Sequence, residues 1–215
     1  MIWVMFDLDE TLFVKTSSSD SHRTSGNYES YTHLTKCYLP DCDDDFHCGC
    51  VYLIHHEKTS KTFQDLLALE NVNIGFITAG GYTKEYIVPV LEEVYDLGQD
   101  SLADSLFIGA QDLGDCHTPK GEKLKILREN NIFAKQDHVI LVDDRPSHLD
   151  SAVDYGFAGI LATGFFEEYD ETESRYVLRS TDPGYLDNVL YMVRARRMLA
   201  DFIASPIVKL KFKQA

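Results

Sequence analysis

The sequence predicts an α/β fold, a three-layer, Rossmann-like parallel sheet carrying a small β-hairpin insertion. Three observations predict it. Apolar runs of strand length (Ile2 to Phe6, Ile74 to Ile77 and Val139 to Val142) each end in a polar residue that could sit at a strand's carboxyl edge. Stretches with helical spacing separate them, the alternation that builds a parallel sheet with helices on both faces. A length of 215 residues suits one such domain with a modest insertion and is short for two.

Each element follows in order. Ile2-Trp3-Val4-Met5-Phe6 is a buried strand that runs into Asp7-Leu8-Asp9-Glu10-Thr11-Leu12. Lys15 to Tyr31 is rich in Ser and Thr without an apolar period and reads as an exposed loop. Tyr38 to Pro40 and Val51 to Ile54 are β-prone runs around the turn-rich Asp41 to Asp45, so residues 13–61 read as a loop and hairpin insertion. Thr62 to Leu69 has helical spacing, with Phe63, Leu66, Leu67 and Leu69 facing inward. Ile74 to Thr78 is the second central strand and opens into Ala79-Gly80-Gly81. Thr83 is the candidate N-cap of a helix from Lys84 to about Leu97, with Val88, Leu91 and Tyr95 as its inner stripe and Pro89 inside that span expected to kink it or delay its start.

Leu106 to Gly109 is a third strand, and Thr118-Pro119-Lys120-Gly121 leads into a helix with Leu124, Leu127 and Ile132 on one face. Val139 to Val142 is the clearest buried strand, ending in Asp143-Asp144-Arg145-Pro146. A helix from Ser147 to Tyr155, an edge strand from Phe157 to Ala162 and a solvated acidic loop from Glu167 to Glu173 follow. Residues 182–205 close the chain with an amphipathic helix whose Leu186, Val189, Val193, Ala200 and Ile203 face inward, and whose Arg194, Arg196 and Arg197 read as a solubilising face.

The polar residues at the strand ends are the chemical signal. Asp7 and Asp9, spaced i and i+2, project to one side of the sheet's carboxyl edge, where open α/β sheets bind ligands. One carboxylate can attack an electrophile while the other handles a proton. Thr78, followed by small residues that let main-chain N–H groups approach, suits a phosphoryl oxygen, with Ala79 and Gly80 beside it. Lys120 sits at a helix start, where a cation opposes the helix dipole and invites a functional reason; Lys123 and Lys125 are its rivals. Adjacent carboxylates Asp143 and Asp144 repel each other unless a cation lies between them, and Mg2+ is the natural one. Asp7, Asp143 and the main-chain oxygen of Asp9 would supply its ligands, with Asp144 acting directly or through water. Tyr82 reads either as packing or as the rim of the pocket.

These motifs resemble those of the haloacid dehalogenase (HAD) superfamily of phosphohydrolases. Phe6-Asp7-Leu8-Asp9-Glu10-Thr11-Leu12 is similar to its first motif, in wording closest to the protein phosphatases acting on the RNA polymerase tail. Thr78, Lys120 and Asp143-Asp144 match its second, third and fourth motifs. The polymerase-tail branch usually has Asp-Asn-Ser-Pro where this chain has Asp143-Asp144-Arg145-Pro146, and the departure shifts the expected target slightly toward phosphotyrosine over phosphoserine or phosphothreonine. The resemblance implies a HAD fold over one domain spanning 1–215, a small insertion in place of a large cap, and Mg2+-dependent hydrolysis of a phosphorylated protein through an aspartyl-phosphate on Asp7. It also implies catalytic roles for Asp9, Thr78 and Lys120. The alternatives are a small-metabolite phosphomonoesterase and a non-catalytic phosphoprotein-binding adaptor. Some bacterial effectors delivered into host cells resemble this compact type.

Bulk properties narrow the field further. A net charge of -15 with a sequence pI near 4.8 argues against loose nucleic-acid binding, which needs clustered Lys and Arg. No apolar run approaches the roughly 20 residues of a membrane span, and the amino-terminal residues lack a basic leader, so synthesis in the cytoplasm is expected. The five cysteines are an odd count, and Cys37, Cys42, Cys48 and Cys50 crowd near His47 without paired C-x2-C knuckles. That pattern favours free thiols over a zinc site. Asp43-Asp44-Asp45 lacks the spaced ligands of a calcium loop and reads as a solvated turn. Oligomeric state is not legible in the chain.

Overall fold

The structure, a computed structural model, describes residues 1–15, 35–39, 49–113, 118–163, 165–170, 175–180 and 182–204. Five parallel strands form the central sheet: β1 (Ile2–Phe6), β5 (Val72–Ile77), β6 (Leu106–Ile108), β7 (His138–Asp143) and β8 (Ala158–Leu161). Their order is β6-β5-β1-β7-β8, which makes β1 central and β8 an edge. The chain leaves β1 toward β5 and β6, then crosses back to β7 and β8. The sense of winding therefore reverses between β1 and β7, the position at which such sheets open a crevice for ligands.

Strand periodicity assigns the two faces. Ile2, Val4 and Phe6 point to one face, into a core with Phe63 and Leu66 of α1 (His56–Leu67), Ile87 and Leu91 of α2 (Lys84–Val94), and Leu186, Val189 and Val193 of α6 (Gly184–Ala204). Met5 points to the other, into a core with Leu124 of α4 (Lys120–Glu129) and Leu149 and Ala152 of α5 (Pro146–Asp154), against which Trp3 also packs. Helices thus cover both faces of a parallel sheet, the three-layer arrangement the sequence predicts. The one remaining helix, α3 (Ala110–Leu113), follows β6 directly.

The insertion is a three-stranded antiparallel sheet in which β4 (Gly49–Leu53) pairs with both β2 (Phe13–Lys15) and β3 (Thr35–Leu39). The expected β3–β4 hairpin pairing is present, and β2 adds a strand because the chain extends directly out of the turn after β1. Tyr95 fastens this sheet's root to the core, its hydroxyl donating to the Leu12 carbonyl at 2.9 Å. The Lys15 to Tyr31 loop, the Asp43-Asp44-Asp45 turn, Cys42, His47 and Cys48 lie outside the described residues, apart from Lys15 at the end of β2; Cys37 and Cys50 fall on β3 and β4.

Four expectations need correction. Helix α1 begins at His56, ahead of the expected Thr62, and Leu67 is exposed on its outer side. Ile132 is exposed, because α4 ends at Glu129 and Asn131 then turns through a left-handed conformation (φ 61°). Glu167 to Asp170 do not form a loop; they belong to β9 (Phe165–Asp170), paired antiparallel with β10 (Arg175–Ser180). Local acidity says nothing about a partner strand that satisfies the backbone. Ala200 is exposed, as are Met198 and Leu199, whereas Tyr185 and Leu190 are buried near the start of α6.

Helices α4 and α5 meet at backbone distance. A Cβ at Gly121 would lie 2.3 Å from the Ala152 nitrogen and 2.3 Å from the Ser151 carbonyl carbon, contacts that only a glycine avoids. Gly121→Ala must therefore separate the two helices. Overpacking of this kind costs about 1–3 kcal/mol; urea unfolding should show a lower midpoint at unchanged slope, and wild-type stability would refute the contact.

Candidate active site

The site is built from the carboxyl ends of β1 and β7. Their register pairs Phe6 with Val142, and the Asp7 N–H donates to the Val142 carbonyl at 2.9 Å. One step further along both chains, Asp7 comes to lie beside Asp143. Beyond it the chain turns sharply. The Leu12 N–H bonds the Leu8 carbonyl at 2.8 Å, the Glu10 N–H bonds the Phe13 carbonyl at 2.8 Å, and Glu10 takes up φ 63°. This turn buries Leu8 and Leu12 and leaves Asp7 and Asp9 on the site side.

Lys120 enters from the first turn of α4. Its Nζ lies 2.7 Å from Asp7 Oδ1 and 2.7 Å from Asp143 Oδ2, and all three residues are buried. Its rivals go elsewhere. Lys123 donates to the Asp112 carbonyl, and Lys125 lies 3.8 Å from Glu129. Burial alone would lower the Lys120 ammonium, but Asp7 and Asp143 outweigh it and hold its pKa above the usual lysine value. Burial pushes Asp7 well above the ordinary carboxylate range, against the pull of Lys120, and the neighbouring Asp143 and Asp9 push it further. One ammonium is too little positive charge for this crowd.

Asp144 completes the crowd. One oxygen from each of Asp7, Asp143 and Asp144 falls within 4.8 Å of the others. Burial, then Asp143 and Glu10, lift the Asp144 carboxyl to about 6. Its Oδ1 is buried without a hydrogen-bond partner, while Asp143 already uses Oδ1 on the Arg145 N–H at 2.9 Å and Oδ2 on Lys120. An orphaned, desolvated acceptor beside two further carboxylates is a donor set that suits a hard divalent cation such as Mg2+.

The second arm holds Asp9. Tyr82 Oη donates to Asp9 Oδ1 at 2.9 Å, and Thr78 Oγ1 donates to Asp9 Oδ2 at 3.5 Å while accepting the Gly80 N–H at 2.9 Å. The Asp9 carboxylate therefore stands outside the three-carboxylate group, though near enough to raise Asp7. A Cβ at Gly80 would lie 2.7 Å from Asp9 Oδ2 and 2.6 Å from the Tyr82 ring, so this position admits only glycine without displacing the carboxylate. Burial and then Asp9 raise the Tyr82 phenol well above its usual pKa, which keeps it a donor. Ala79 is exposed at the rim.

Two contributors were not legible as such. Tyr82 is a buried partner of Asp9, which settles the choice between packing and rim in favour of a hydrogen-bonding role. His148, read only as part of a helix, accepts the Lys120 main-chain N–H on Nδ1 at 3.2 Å. Pro119 provides no side-chain cap, so this imidazole satisfies a donor at the start of α4. Burial lowers the His148 pKa, which favours the neutral ring that can accept. A histidine just after an Asp-Asp-x-Pro turn was the only available signal.

No protein-family model matches the chain, and no curated protein matches its sequence. Solved structures similar to it include the following two. One is fission yeast RNA polymerase II CTD phosphatase Fcp1, in a variant bound to beryllium fluoride, at 18% identity and a TM-score of 0.40, covering 66% of this chain and 36% of that one. The other is Fcp1, described as an essential RNA polymerase II CTD phosphatase, at 19% identity and a TM-score of 0.43, covering 69% of this chain and 38% of that one. The chain thus spans little more than a third of the length of either. Among the described residues no helix is long and apolar enough to cross a membrane.

The charge balance makes a direct prediction. The Asp144 carboxyl titrates near 6, above its ordinary 3.8, so between those values the folded chain holds more protons than the unfolded one. Without a divalent cation, this group's contribution to stability is lost as pH rises through that window. A cation that binds the deprotonated carboxylates should stabilise most above it. Magnesium chloride should raise the melting temperature clearly at about pH 7.5 and little at about pH 5, measured against EDTA. Equal shifts at both values, or none, would contradict a carboxylate cation site.

Proposed function

We propose that this protein is an aspartate-nucleophile phosphatase of the HAD type that hydrolyses phosphorylated proteins, with phosphotyrosine slightly preferred. One observation carries the reading: Lys120 bridges Asp7 and Asp143 at 2.7 Å each, while Asp9, two residues on, is held apart by Tyr82. The arrangement supplies a nucleophile, charge neutralisation and a separate proton carrier in one crevice.

In the proposed reaction an Asp7 carboxylate oxygen attacks phosphorus as the bond to the leaving oxygen breaks, and Asp9 gives that oxygen its proton. Water then attacks the phosphoryl group on Asp7, yields a proton to Asp9, and releases phosphate with the Asp7 carboxylate restored. Lys120 holds Asp7 in line and offsets the negative charge of the incoming phosphoryl group. Tyr82 and Thr78 orient Asp9, and Ala79 and Gly80 form the rim beside them, where Gly80 donates its N–H to the Thr78 hydroxyl. Asp7, Asp143, Asp144 and the Asp9 main-chain oxygen would hold Mg2+. When bound, the ion would neutralise negative charge on the phosphoryl oxygens.

Two features support a protein substrate. A small three-stranded insertion stands where a large cap would enclose a metabolite. A cavity of about 290 Å³ beside Tyr82, lined also by Lys84, Phe107 and Asp112, offers room for one side chain next to a phosphorylated residue. The domain is proposed to span residues 1–215, with the insertion, expected over 13–61, ending where α1 begins at His56, and the closing helix, expected over 182–205, as α6.

Asp7→Asn should abolish Mg2+-dependent hydrolysis of p-nitrophenyl phosphate while leaving the circular dichroism spectrum intact; residual wild-type turnover would refute the nucleophile. A phosphopeptide panel run beside sugar phosphates and nucleotides decides the substrate class. Fast release from the small esters with none from phosphopeptides would reassign the protein as a metabolite phosphatase.

A further inference from the structure

The opposite end of the sheet holds a second feature, independent of the site above. A cavity of about 240 Å³ opens where β7 and β8 begin, lined by Arg128 from α4, His138 from β7, Gly156 and Phe157 ahead of β8, and Arg196 from α6. His138 and Asp143 are the first and last residues of β7, so the cavity lies roughly 16 Å from the three-carboxylate group.

Its charge runs against that of the molecule. In a chain with net charge -15, two guanidiniums and an imidazole converge here. Among the described residues, neither Arg128 nor Arg196 has a carboxylate within ion-pair distance. Arg128 is fixed in place: its guanidinium carbon stacks 4.1 Å from the Phe157 ring centre, and one Nη bonds the Asp137 carbonyl at 3.4 Å. Its Nε is buried with no hydrogen-bond partner. Burial lowers the His138 pKa, and Arg196, the Met1 amino group and Arg128 lower it further against the pull of Asp137. Asp137, the acidic lining residue, spends its carboxylate elsewhere, on the Ala134 N–H at 2.9 Å and the Met1 amino nitrogen at 3.1 Å.

An immobilised guanidinium, with a second guanidinium and an imidazole lining the same cavity, is the chemistry that recognises a tetrahedral oxyanion. The volume is below the roughly 300–1,000 Å³ typical of drug-sized ligands and fits a small anion. We propose that this cavity is a second anion site, which binds a phosphate dianion, free or as a small phosphate ester, through Arg128, Arg196 and His138. It would let phosphate bind the protein without entering the crevice at Asp7.

The test follows NMR signals of the full chain during titration with inorganic phosphate. The His138 ring protons and the Gly156 amide should shift saturably, with half-saturation on the order of a millimolar, and the His138 pKa should rise. Arg196 is exposed, so Arg196→Glu should keep the melting temperature yet weaken these shifts roughly tenfold or more. The Thr78 and Gly80 amides report separately on the other end. Phosphoserine, titrated into the Asp7→Asn protein, distinguishes the sources: the same shifts show that the cavity takes esterified phosphate, and shifts with inorganic phosphate alone restrict it to the free ion. Absence of saturable shifts at His138 and Gly156, or an undiminished response in Arg196→Glu, would overturn the proposal.

Discussion

The buried ion triad of Asp7, Lys120 and Asp143 is the constraint on which the rest of this structure depends. Removing three charged side chains from water is costly, and apolar residues of similar volume would serve stability at least as well. Lys120, at 2.7 Å from each aspartate, satisfies one charge and leaves the cluster negative once Asp144 is counted. An arrangement that stays negative at its centre marks a candidate functional site whose charge favours a divalent cation.

Much of the surrounding fold can be read as support for that triad. The switch in winding between β1 and β7 opens the crevice, and the register between these strands sets Asp7 beside Asp143. Gly121 lets α4 approach α5 at backbone distance, and His148 of α5 accepts the N–H of Lys120, so one helix pair positions the ammonium from two directions. Asp9 is kept separate by a different mechanism. Tyr82 and Thr78 hold its carboxylate from α2's side of the crevice, and Gly80 leaves the space it occupies. Two aspartates two residues apart in sequence thereby acquire different surroundings, the general condition for dividing nucleophile and proton carrier between like groups.

Charge is distributed with the same economy. The molecule is strongly acidic, yet a basic cavity sits at the amino ends of β7 and β8, a strand's length from the acidic crevice. The two ends of the same sheet therefore present opposite electrostatic character.

The parallel sheet, the positions of β1, β5 and β7, and the candidates Asp7, Thr78, Lys120, Asp143 and Asp144 were legible in the sequence because each is a local signal. An apolar run ends in a charge or hydroxyl, or a lysine stands where the helix dipole disfavours it. The pairing partners of β9, the buried role of Tyr82, the capping by His148 and the meeting of Arg128 with Arg196 were not, because each joins residues distant in the chain whose local patterns are ordinary. Sequence by itself determined which residues carry charge at strand ends, since periodicity and burial are encoded residue by residue. Only the tertiary structure decided which of those charges share a space, because strand order, register and helix approach arise from packing the whole chain at once.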